Sequence, residues 1–208
     1  MENLALIAEG LSVRTSGLAD DDQPELRVRV RDAALLGECE AFLKFVAAYI
    51  ERGARLRPDE TLAYGYWLTK FSLADDGLLE VWEHEAGATA FVIGAQLTLT
   101  YWRDQHEVCR KFGGDFTPPR PDQLVVVSDG VFEGDTVQGV RYPSPEHMSG
   151  WWITTDRYDG NTDSLKREHL YHLTAARPDL ARLIALPFGF RFDLAHHEDV
   201  WFDRQTLG

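Results

Sequence analysis

Cysteine is scarce in this chain: its 208 residues hold two, Cys39 and Cys109. Each lies in a stretch whose periodicity predicts a helix, with no second cysteine at the spacing of a metal knuckle or a redox pair. Disulfide scaffolds and thioredoxin-like chemistry therefore find no foothold, and two buried free thiols are expected. Basic residues are also in deficit, 21 Lys and Arg against 34 Asp and Glu, for a formal net charge of -13. Phosphate contacts require clustered cations, so no nucleic-acid partner is expected. The acidic excess extends over both halves of the chain; it favours solubility first and the steering of a basic protein partner second.

Long apolar runs are missing as well. No segment approaches the roughly 20 apolar residues needed to cross a bilayer. The opening stretch, Met1 to Gly10, has neither the basic region nor the apolar length of a secretory signal. A cytoplasmic location without membrane contact is expected. Glycine-rich phosphate loops, Gly-x-Ser-x-Gly and His-Glu-x-x-His are all absent, so no cofactor is expected either.

The patterning that is present predicts an α+β chain in two modules, a mostly antiparallel sheet with helices packed on it. Asp20-Asp21-Asp22-Gln23-Pro24 reads as a loop before the alternating strand Leu26-Arg27-Val28-Arg29-Val30. Cys39, Phe42, Leu43, Val46, Tyr49 and Ile50 recur at helical spacing over residues 37–52. Residues 62–73 and 78–83 flank Asp75-Asp76-Gly77, a hairpin turn in which glycine supplies the positive backbone angle. A helix is expected over 98–112, ended by Gly113-Gly114. Pro118-Pro119-Arg120-Pro121 stiffens the backbone and marks a boundary, giving modules 1–117, of unknown role, and 118–208.

In the second module, residues 123–128 and 136–142 read as antiparallel neighbours and 151–155 as a third strand. Asp163 is placed to cap a helix over 164–176. Pro178 opens a second helix to Leu186, and Phe190-Arg191-Phe192 and Val200-Trp201-Phe202 read as closing strands.

Chemical grammar is thin. His169 and His172, three apart on the expected helix, could share a metal with His196, His197 or Asp199, which would make a small metal-assisted hydrolase. Ser128, Ser144 or Ser149 with His147 offers a nucleophile and a base but none of the sharp turn such a serine needs. Asp156, Asp159 and Asp163 lack the spacing of a calcium loop. Aromatics are the stronger signal: consecutive Trp151 and Trp152 on a strand point to opposite faces, so one enters the core and the other meets solvent, the first module, a second copy of the chain or a foreign partner. Trp151, Trp152, Asp156, Tyr158 and Asp159 are the candidate partner-binding residues, with no catalytic residue among them.

Val127-Ser128, Gly139-Val140-Arg141-Tyr142, Ser149-Gly150-Trp151, Pro178-Asp179-Leu180 and Pro187-Phe188-Gly189-Phe190-Arg191-Phe192 follow one another over roughly 80 residues. In that order they resemble the bacterial immunity protein 33 family. Two local departures are His147-Met148, where the family more often has an acidic residue, and the doubled tryptophan. The resemblance implies a non-enzymatic immunity protein that binds and neutralises a cognate toxin in the producing cell; the acidic composition suits a basic toxin. A hydrolase using His169 and His172, and a structural homo-oligomer burying its own aromatics, are the alternative readings.

Overall fold

The computed structural model describes residues 4–18, 23–195 and 197–208. The acidic run Asp20-Asp21-Asp22 and His196 lie outside the described residues. The chain divides into two compact units, Met1–Arg103 and Asp104–Gly208. The division falls inside a helix, upstream of the proline-rich segment at which the sequence suggests a boundary.

Among the described residues, the first unit contains seven strands: β1 (Ala5–Glu9), β2 (Ser12–Ser16), β3 (Leu26–Arg29), β4 (Thr61–Tyr64), β5 (Trp67–Leu73), β6 (Leu79–His84) and β7 (Phe91–Ile93). They run in the order β1-β2-β3-β6-β5-β4, with β7 also on β6. Within this sheet, among the described residues, only β3 and β6 pair in parallel. The expected Asp-Gly hairpin joins β5 to β6, Leu73 opposite Leu79. Helix α1 (Leu36–Glu51) buries Cys39, Phe42, Leu43, Val46, Ala47 and Ile50; of the residues that periodicity marks, Tyr49 is instead exposed, at the margin of the stripe. These pack into a core with Val13, Leu26, Val28, Phe71, Leu79 and Val81.

On β3 and β6, Arg27 and Arg29 converge on buried Glu80 at 2.7 and 2.9 Å, and Arg27 also reaches Asp76 at 2.6 Å. Helix α2 (Gln96–Phe112) begins on Glu83, whose carboxylate accepts from Leu97 N, Thr98 N and Thr98 Oγ1 at 2.7–2.9 Å. An acid from a neighbouring strand thus satisfies first-turn amides that would otherwise lack acceptors.

The second unit is built on β8 (Leu124–Val127), β9 (Gln138–Arg141), β10 (Met148–Thr154), β11 (Lys166–His169), β12 (Phe190–Asp193) and β13 (Asp199–Phe202), with helix α3 (Leu170–Ala176). The strand order is β11-β8-β10-β9-β12-β13. This corrects the expected pairing of 123–128 with 136–142: β10 lies between β8 and β9, parallel to the first and antiparallel to the second. The expected closing hairpin is present, with Phe190 opposite Phe202.

The helix expected over 164–176 is also corrected. Residues 166–169 form the edge strand β11, with Lys166 opposite Val127, and only Leu170–Ala176 is helical. Asp163 caps nothing; Asn161 accepts from Asp163 N and caps the short 3-10 turn Thr162–Ser164. Bonding to the open edge of β8 satisfies backbone groups that a capped helix would otherwise have taken. Beyond α3, the expected helix at Pro178 is a 3-10 turn, Pro178–Leu180, followed by turns. Leu180, Leu183, Ile184 and Leu186 are nonetheless fully buried.

Candidate partner-binding face

Alternation sorts the second sheet into two unlike faces. Val125, Val127, Trp151, Ile153, Phe190 and Phe192 are buried. Trp151 has no exposed surface, and its indole N–H donates to Ile184 O at 2.9 Å. It belongs to the core and offers nothing to a partner. Trp152, its neighbour, points the other way and is half-buried.

Beside Trp151 sits an unusual core residue. Arg141 is 3% exposed and meets no carboxylate among the described residues; it donates from Nε to Ser149 O at 2.9 Å and from Nη1 to the carbonyls of Thr117, Leu186 and Ile184 at 2.6, 2.6 and 3.3 Å. The Phe188 ring lies 4.8 Å from its guanidinium. Burial pulls the guanidinium pKa down to about 10. Arg141 therefore ties its own strand to three other segments of backbone, and its charge faces no solvent.

Other motif residues serve the fold in the same way. Gly139 is covered by the ring of Phe192. Gly150, with φ of 85°, sits where the pairing of β10 with β8 shifts register, and a side chain there would strike Tyr142 O. Ser149 Oγ donates to Leu124 O, and Ser128 Oγ accepts from Thr155 N.

On the opposite face, registered partners form one row across all six strands: Arg167, Val126, Trp152, Val140, Arg191 and Trp201. Directly opposed residues share a face, so these side chains stand together. At one end of this face, Val126, His147, Met148, Trp152, Thr162, Leu165 and Arg167 line a groove of about 360 Å³. Thr136, Gln138, Thr154, Asp156 and Asp193 help line a polar recess of about 350 Å³. Sequence reasoning reached Trp152 and Asp156 but missed Val126, Met148, Leu165 and Arg167, because only the register of β11, β8 and β10 brings them together. Of the other candidates, Tyr158 is half-buried, and exposed Asp159 accepts from Asn161 N.

The proposed metal pair sits differently. His169 ends β11, its Nδ1 2.9 Å from Asp122 O, and its ring centroid lies 5.9 Å from that of His172 in α3. His172 faces Glu168 at 3.7 Å, while His197 pairs with Asp199 at 2.9 Å. Among the described residues, no group of three or more His, Cys, Asp or Glu comes together as a metal site. Both cysteines are buried and free, their thiols pushed up to about 12 for Cys39 and about 11 for Cys109 by desolvation, so both stay protonated near neutral pH. No described helix is long and apolar enough to cross a membrane.

The chain is thus an α+β protein of two units, the second built on a sheet with one buried face. Residues 104–203 match the Imm33-like domain, which bears out the resemblance carried by the motifs and extends it upstream to the start of the second unit. No curated protein and no solved structure matches the chain.

Proposed function

We propose that this protein is an immunity protein that binds a cognate bacterial toxin in the producing cell and neutralises it by occupancy, without chemistry of its own. The observation that carries this reading is the Imm33-like match over residues 104–203. The geometry supports it: Trp152 and Trp201 stand on the outer face of the second sheet, with large aromatic area of the kind that anchors interfaces. The net charge of -13 favours encounter with a basic toxin, such as a nuclease with a cationic substrate groove.

The test is co-expression of the full chain with each product of the neighbouring genes, scored for growth and for co-purification at low and high salt. Rescue from one growth-inhibiting neighbour that co-purifies, with binding weakened in high salt, is the expected result. Failure to rescue from any inhibitory neighbour would overturn the reading. Rescue with salt-independent binding would retain immunity and remove the electrostatic part.

A further inference from the structure

We propose that the Trp152 groove is a docking site for an apolar side chain flanked by a carboxylate, presented by a segment of the partner protein. The identity of that partner as a toxin rests on the immunity reading; the chemistry of the groove does not. In a chain with 34 acidic residues, the groove lining contains no Asp or Glu among the described residues. Its floor is Val126 and Trp152, its walls include Met148 and Leu165, and Arg167 brings its positive charge, with His147 also in the lining.

Charge complementarity selects the occupant. Several other arginines of this unit hold carboxylates: Arg157 on Asp135, Arg177 on Asp179, Arg182 on Glu198 and Arg191 on Asp203. Arg167 is exposed on β11 and makes no ion pair among the described residues. A partner that covers Trp152 also strips water from this guanidinium, which is unfavourable unless an acceptor replaces the water. A carboxylate does so with charge-assisted bonds, whereas a Lys or Arg there would meet a like charge.

The lining also suits a side chain more than a large cofactor, since about 360 Å³ lies at the low end for small-molecule pockets. Strand β11 is the sheet edge, so an extended segment can run beside it and direct alternate side chains into the groove. Net charge steers the two proteins together, while local chemistry of the opposite sign fixes where they dock.

The probe is a pair of capped tetrapeptides, glycine-phenylalanine-aspartate-glycine and glycine-phenylalanine-lysine-glycine, titrated into the isotopically labelled full chain. The readout is the Trp152 indole N–H signal, assigned by its loss in Trp152→Phe. The aspartate peptide is expected to bind about 2- to 5-fold tighter than the lysine peptide, the range of an exposed ion pair. In Arg167→Glu, the preference should reverse.

Equal binding, a preference for lysine, no shift at Trp152, or a preference unchanged in Arg167→Glu would each overturn the proposal. In the growth assay, Trp152→Ala and Arg167→Glu should lose protection while keeping native circular dichroism; protection by a folded Arg167→Glu protein would remove the groove and leave the immunity reading intact. Rescue from no neighbour would remove that reading, with the peptides still deciding the groove. Light scattering that showed a dimer dissolved by Arg167→Glu would assign the face to a second copy and overturn the partner segment.

Discussion

Arg141→Ala is expected to destabilise the second unit strongly, and the size of the effect follows from what the guanidinium holds. Four carbonyls, those of Ser149, Thr117, Ile184 and Leu186, accept from it inside the core. Bonds from a charged donor contribute about 1.5 kcal/mol or more each, so the gross loss is roughly 6 kcal/mol. Dehydrating the charge works against the native state, as the pKa pulled down to about 10 indicates, and water entering the vacated space serves some carbonyls. A net loss of about 3 to 4 kcal/mol is expected, or roughly 12 to 30 °C in the transition of a unit of this size. Because two units can unfold separately, the assay is native-state amide exchange on peptides covering β8 and β10, read beside thermal melting. Arg141→Met separates packing from bonding: it retains the bulk and lacks the donors, so it should destabilise nearly as much as Arg141→Ala. A native-like Arg141→Met protein would show that the side chain acts as filler, and a loss below about 1 kcal/mol in Arg141→Ala would refute the cross-tie.

Gly139→Ala should destabilise the same strands by about 1 to 3 kcal/mol, because the new methyl meets the Phe192 ring. Phe192→Leu should recover part of that loss in a double-mutant cycle, and strictly additive effects would argue against the contact. Glu83 supplies a pH signature in the first unit. Burial raises its pKa despite its bonds to the start of α2, so folding takes up a proton between the unfolded value and the raised folded one. Stability from this group is greatest below the unfolded pKa and falls as pH rises through the folded one. The native protein minus Glu83→Gln should follow that fall in denaturant titrations from pH 4 upward, the subtraction removing carboxylates with lowered pKa such as Asp76. A difference that rose with pH would mean that the helix-capping bonds outweigh burial.

Local signals were legible wherever one segment carries its own partner or stop. The buried face of α1, the end of α2 at Gly113, the β5–β6 hairpin across Asp75-Asp76-Gly77 and the β12–β13 hairpin all follow from periodicity and turn chemistry. The opposite orientations of Trp151 and Trp152 follow from strand geometry. Non-local pairing was not legible. Nothing near residues 123–142 says that β10 inserts between β8 and β9, because a parallel neighbour is joined by a long connection without a turn signature. Leu165, Leu170 and Leu173 suit a helical stripe, yet Lys166–His169 pairs with β8 because that edge offers the backbone a full ladder. Arg141 read as an ordinary strand residue; the four carbonyls that enclose it come from distant segments.

The same division between local and non-local information separates the residues that identify the domain from those that would read a partner. Many of the motif residues carrying the resemblance act inside: Trp151 fills the core, Arg141 ties backbone, Ser128 and Ser149 bond to strands, and Gly139 and Gly150 admit close approaches. Such residues must stay as they are for the unit to fold, so they constrain architecture and say little about a particular partner. Alternation places Trp152, Val140, Arg191 and Trp201 on the reverse of the same strands, where a substitution leaves the core intact. On this fold, a change of partner can be written on the outer row without rewriting the inner one. Substituting Trp152 and Arg167 therefore tests recognition, whereas substituting Trp151 and Arg141 tests folding, and adjacent tryptophans on one strand answer different questions.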